Sequence, residues 1–120
     1  MKKFGMIALA LITATGAYAQ KGVEDGSRYG HGQDSINAIK AISIYSEYYK
    51  TNNFKDAYEQ GWQEVFRDAP LASVNTYNYG IKILRSLYKD AKTAKDEELM
   101  AKYSEELFQV YEQRLKYLEP

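Results

Sequence analysis

One histidine, His31, sits in the glycine-rich stretch "GSRYGHG", and one acidic run, Asp96-Glu97-Glu98, sits in "KDAKTAKDEE". These are the first places to look for chemistry. A catalytic metal needs several His, Cys or carboxylate ligands converging in space, and a general base needs a partner to orient it. His31 has no second histidine or cysteine in the chain to work with. The stretch "GSRYGHG" follows no strand pattern and lacks the Gly-Lys-Ser/Thr ending of a phosphate loop. Asp96-Glu97-Glu98 reads as a helix start, where negative charge meets the positive end of the helix dipole, and the alternating oxygen ligands of a calcium loop are missing. None of Ser27, Ser35, Ser43, Ser46, Ser73, Ser86 and Ser104 lies in a Gly-x-Ser-x-Gly elbow. The residues point to no catalytic group, no metal and no cofactor. The expectation is a protein that acts by binding.

The residues with binding character are aromatic. Twelve tyrosines stand in 120 residues, and tyrosine and tryptophan give large contact area at low entropic cost. Tyr45, Tyr58, Trp62, Tyr77 and Tyr111 fall on apolar stripes and are expected in the core. Tyr49, Tyr79 and Tyr88 lie nearer stripe edges and are the candidate partner-contact residues. Leu107, Tyr111 and Leu118 are the candidate stacking face of the last helix.

The elements that must position these residues are helical. Residues 1–19 have the three-part form of a secretory signal: Lys2-Lys3, an apolar run from Phe4 to about Thr15, and the small-x-small triplet Ala17-Tyr18-Ala19. The run is shorter than the roughly 20 residues a membrane span needs. Export to the periplasm or the extracellular space is the expected address, with no membrane span after the signal is removed. Without Lys2 and Lys3 the chain holds 14 basic against 16 acidic residues, and this near-neutral balance argues against a nucleic-acid partner. With no cysteine, no disulfide supports the fold.

Residues 20–33 form a glycine-rich lead-in. From Asp34 apolar residues recur at steps of three or four. Ile36, Ile39, Ile42, Tyr45, Tyr48 and Tyr49 predict a first helix over about 35–51, with Asp34 as its cap. Asn53, with Asp56 three residues on, predicts the cap of a second helix carrying Phe54, Ala57, Tyr58, Trp62, Val65 and Phe66 and stopping before Pro70. Ser73 caps a third, and Thr93 with Asp96 forms a capping pattern for a fourth that ends near Leu118. No window alternates as a strand does. The fold class is all-α over 34–120.

The stretch "NNFKDAYEQGWQEVFRDAP" resembles the second half of a tetratricopeptide repeat, with Ala57 at the close-approach position of paired helices, Trp62 and Val65 at packing positions and Pro70 at the end. Ile44, Tyr45 and Tyr48 stand at first-helix positions, and Tyr79-Gly80 matches the large-small pair of the next first helix. Tyr45 departs from that pattern, as does one extra residue near Gln60-Gly61, and the connection from Asp90 to Asp96 is long for it. The whole chain, through "YYKTNNFKDAY" and "VYEQRLKYL", looks like the amino-terminal region of bacterial exported tetratricopeptide-repeat proteins. The resemblance implies two stacked antiparallel helical hairpins that bind a protein or peptide, or meet further repeats, with no catalytic residues to carry over. A glycan-binding module using exposed aromatic rings and a structural bundle that oligomerises through its last helix are the alternatives. Part of the last helix's apolar face is expected to be open.

Overall fold

The computed structural model describes residues 27–118; the signal-like segment at 1–19 and the first half of the lead-in, 20–26, lie outside the described residues. Four helices, and no strand, make up the described residues: an all-α fold. We label them α1 (Gln33–Lys50), α2, α3 (Val74–Thr93) and α4 (Glu97–Leu118). Helix α2 comes in three consecutive pieces, Phe54–Ala57, a wide π-type turn at Tyr58–Trp62, and Gln63–Asp68.

Each boundary has a local cause. Helix α1 starts one residue earlier than Asp34, after Gly32 at φ 58°, so Asp34 lies in the first turn and supplies charge there instead of the cap. It ends at Thr51, whose hydroxyl donates to the Tyr48 carbonyl at 3.1 Å, and Asn52 turns the chain at φ 61°. Asn53 stands at the predicted cap position but makes no capping bond; its amide donates to Thr51 Oγ1 at 2.9 Å. Helix α2 stops at Ala69, held extended (φ −134°, ψ 68°) ahead of Pro70. Ser73 caps α3 by accepting from the Asn75 amide at 3.1 Å. Helix α3 runs on to Thr93, so the connection to α4 is only residues 94–96. Asp96, not Thr93, is the residue whose side chain caps α4, accepting from the Leu99 amide at 3.1 Å.

Helices adjacent in sequence pack on one another, α1 along α2, α2 on α3, and α3 on α4. Side chains also reach across to the next helix but one. Tyr45 and Tyr49 of α1 meet Thr76 and Tyr79 of α3. Tyr58 and Phe66 of α2 meet Glu106 and Gln113 of α4. In both sets the partners ascend together along the two helices, so α1 runs with α3 and α2 with α4.

The core lies between these helices. Tyr45, Tyr58, Trp62 and Tyr77 are buried as expected, together with Val65, Ile83, Leu84, Leu87, Tyr103 and Val110. Helix α1 corrects the sequence reading. Its buried face is Ala38, Ala41 and Tyr45, while Ile36 and Ile39 are 59% and 51% exposed. The reason is the closeness of α1 to α2. A Cβ added to Gly61 would lie 2.5 Å from the Ala41 carbonyl oxygen, so only small side chains fit between the two backbones there. Gly61 also adopts φ 144°, which side-chain-bearing residues rarely reach. Together with Gln60 (φ −108°, ψ 40°) it breaks the regular helix in this wide turn. Ala57, expected at a close approach of helices, is fully buried four residues earlier.

Candidate functional site

The Tyr49 and Tyr79 rings lie face to face, centroids 3.9 Å apart and planes 11° from parallel. Helix α1 supplies one from its last turn and α3 the other from its second. Both side chains are half-buried. The chain reversal at residues 51–53 brings Phe54 back so that its ring stands edge-on to Tyr49 at 5.5 Å. Lys82, one turn beyond Tyr79 on α3, places its ammonium 5.8 Å from the Tyr49 centroid and 5.9 Å from that of Phe54. Stacked pairs of this kind contribute about 0.5–1.5 kcal/mol beyond the area they bury, and an exposed cation over a ring about 0.5–1 kcal/mol. Burial, and then the neighbouring Tyr79 hydroxyl, raise the Tyr49 pKa above its ordinary value.

Tyr49 and Tyr79 thus form one feature. Tyr88 does not join them, because nine residues along α3 at about 100° each set it half a turn away. It is half-buried against the core on another side of the helix. Phe54 and Lys82 belong to the feature but were not singled out by sequence reasoning. Lys82 was findable: at three residues from Tyr79 it must share that face. Phe54 was assigned to the α2 stripe, and its approach to Tyr49 depends on the turn geometry.

Beneath this patch the helices are tied by polar contacts. Trp62 donates through Nε1 to the Thr76 carbonyl at 2.7 Å, and its indole lies against Gly80, the small member of the Tyr79-Gly80 pair. The Tyr45 hydroxyl and Thr76 Oγ1 are 3.4 Å apart. Tyr77 donates to the Pro70 carbonyl at 2.6 Å and accepts from Gln113 at 3.1 Å. Of these contacts, Tyr45 with Thr76 joins α1 to α3, and the others join α3 to α2, to the turn at Pro70 and to α4.

The last helix divides its apolar residues between two sides. Tyr103 and Val110 are buried, and Leu107 and Leu118 are half-buried against the core. Phe108, Tyr111 and Leu115 are exposed by 58%, 38% and 58%. An open apolar face is therefore present, as expected. Its members are Phe108 and Leu115 with Tyr111; of the sequence-selected trio, Leu107 and Leu118 face inward enough to serve the core. Tyr111 is correspondingly not the core residue its stripe position predicts.

His31 is exposed at the start of the described chain. Among the described residues no group of three or more His, Asp or Glu side chains is placed to hold a metal ion, and no helix is long and apolar enough to cross a membrane. A shallow cleft of about 60 Å³ between α1 and α2 is lined by Asp34, Asn37, Glu64 and Asp68, of which Asp68 is already paired with Arg67 at 2.7 Å. Comparison with protein-family models, curated proteins and solved structures finds no match for this chain.

Proposed function

We propose that the chain is an exported, tetratricopeptide-like helical scaffold that docks a protein or peptide partner over the Tyr49–Tyr79 surface of α1 and α3. The observation that carries the reading is the stacked tyrosine pair bridging two helices, edged by Phe54 and Lys82 and half open to solvent. A partner's extended segment would lie across the pair, with its apolar side chains on the ring edges and its carbonyls or carboxylates toward the phenols and the Lys82 ammonium. The order of helix contacts, α1 with α3 and α2 with α4, supports two hairpins stacked in the repeat-like manner, and the signal-like leader supports export. Peptide docking is favoured over sugar stacking because each ring already spends one face on the other.

The test is selection from a random peptide library on the immobilised chain, followed by titration of recovered peptides against variants. Tyr79→Ala is expected to weaken the selected peptides by about tenfold or more, the scale of one aromatic anchor. Phe108→Ala, on the far helix, leaves them unchanged. Peptides that bind both variants as they bind the parent chain would place the docking surface elsewhere.

A further inference from the structure

Both outer helices carry apolar residues on the side turned away from the fold. On α4 these are Phe108, Tyr111 and Leu115, which span an arc of about 60° at 100° per residue and flank the side that buries Tyr103 and Val110. On α1 they are Ile36 and Ile39, opposite the buried Ala38, Ala41 and Tyr45. The rims of the two faces differ in charge. Exposed Glu105 and Glu112 border the α4 stripe, three residues before and four after Phe108. Exposed Lys40 borders the α1 stripe, four residues after Ile36. Other charges stand on the same surfaces: Glu47 on α1 is 3.6 Å from Lys50, and exposed Lys116 on α4, four residues after Glu112, stands 5.1 Å from the centre of the Tyr117 ring.

From this we infer that the chain self-assembles head to tail, the outer face of α4 in one copy packing on the outer face of α1 in the next. The charges of Glu105, Glu112 and Lys40 favour this arrangement. A two-fold contact of α4 on α4 brings carboxylates toward carboxylates, and α1 on α1 brings Lys40 toward Lys40, whereas α4 on α1 sets Glu105 and Glu112 against Lys40. It also continues the packing within the chain, where each helix lies on the next in sequence. Because the two faces are different, the contact is heterologous and copies add at either end, into a ring or an open stack. The inference stands apart from peptide docking, since it uses neither Tyr49 nor Tyr79.

The test uses two blocked variants, Ile39→Glu and Leu115→Glu, both at exposed positions, with circular dichroism to verify that each stays folded. Sedimentation velocity over a concentration series should show the parent chain growing past the dimer. Each variant alone should remain monomeric, because each has lost one face. An equimolar mixture should form a one-to-one dimer and nothing larger, because the intact α4 face of Ile39→Glu meets the intact α1 face of Leu115→Glu. A parent chain that stays monomeric, an Ile39→Glu variant that associates as well as the parent, or a mixture that stays monomeric overturns the inference. Association of both variants would assign the self-contact to another segment, such as the apolar run at residues 4–15, and overturns it equally.

Discussion

Gly80 lies in the middle of a twenty-residue helix, a position where alanine is the better helix former by about 1 kcal/mol. On propensity alone Gly80→Ala should stabilise the fold. The packing says the reverse. A Cβ there would stand 2.8 Å from both Cε2 and Nε1 of Trp62 and closer still to Cζ2, whereas unstrained carbon contacts are about 3.5–4.0 Å. The indole must retreat by about 1 Å, yet Trp62 is 1% exposed, stacks on Phe66 at 5.0 Å and donates to the Thr76 carbonyl at 2.7 Å. Overpacking of this kind costs about 1–3 kcal/mol, and losing the buried hydrogen bond adds about 1 kcal/mol. Set against the gain in propensity, the net loss is about 1–3 kcal/mol. Urea titration followed by circular dichroism should show a lower midpoint with an unchanged slope. Thermal melts should fall by roughly 4–8 °C for each kcal/mol lost. The single tryptophan gives an independent fluorescence signal. The same substitution in a Trp62→Phe background, which lacks the contacted indole atoms, should cost less, with a coupling of about 1 kcal/mol or more. A midpoint that rises or holds on Gly80→Ala would refute the close approach of α2 and α3 at this point.

The phenol of Tyr58 donates to Glu106 at 2.6 Å, and burial first, then that carboxylate, raise its pKa. Tyr45, Tyr77 and Tyr103 are raised as well, chiefly by burial. A raised folded-state pKa means that the folded form holds its proton when the unfolded form has lost it. The corresponding stability is complete below the ordinary tyrosine value of 10.0 and declines as pH rises above it. Unfolding free energies measured by urea titration between pH 8 and pH 11.5 should drop at the alkaline end, and Tyr58→Phe should flatten the drop while costing about 1 kcal/mol at neutral pH. The two helix starts predict a contrast: Asp96→Ala removes a real cap and should cost about 1 kcal/mol, whereas Asn53→Ala, whose side chain caps nothing, should cost a few tenths. Chemical denaturation of the two variants side by side checks it.

The number of helices and most of their ends were legible because they depend on local chemistry. Ser73 and Pro70 act through the backbone within a few residues, and so read directly. The inward face of α1 was not legible. Isoleucines and alanines both recur at helical spacing there, and hydrophobicity alone favours the isoleucines. What reverses the choice is the nearness of α2 at Gly61, a tertiary fact that rewards small side chains. Of the candidate contact residues, Tyr49 and Tyr79 were named from stripe position, but their stacking on each other was not visible, since it depends on α1 and α3 lying side by side. Tyr88 was grouped with them as another stripe-edge tyrosine, and the helical period between 79 and 88 already argued against it.

The polar ties of α4 to α2 are made by Glu106 and Gln113, in half-buried surroundings, while Trp62 sits sealed between α2 and α3. The polar bonds of the last helix are thus more open to water than the one made by the indole. Water can compete for the bonds that moor the last helix far more readily than for the one beneath the indole, so slow amide exchange should concentrate in α2 and α3, with α4 opening first as a unit. A helix that loosens before the rest of the fold is well placed to be captured from outside while the aromatic surface of α1 and α3 keeps its shape.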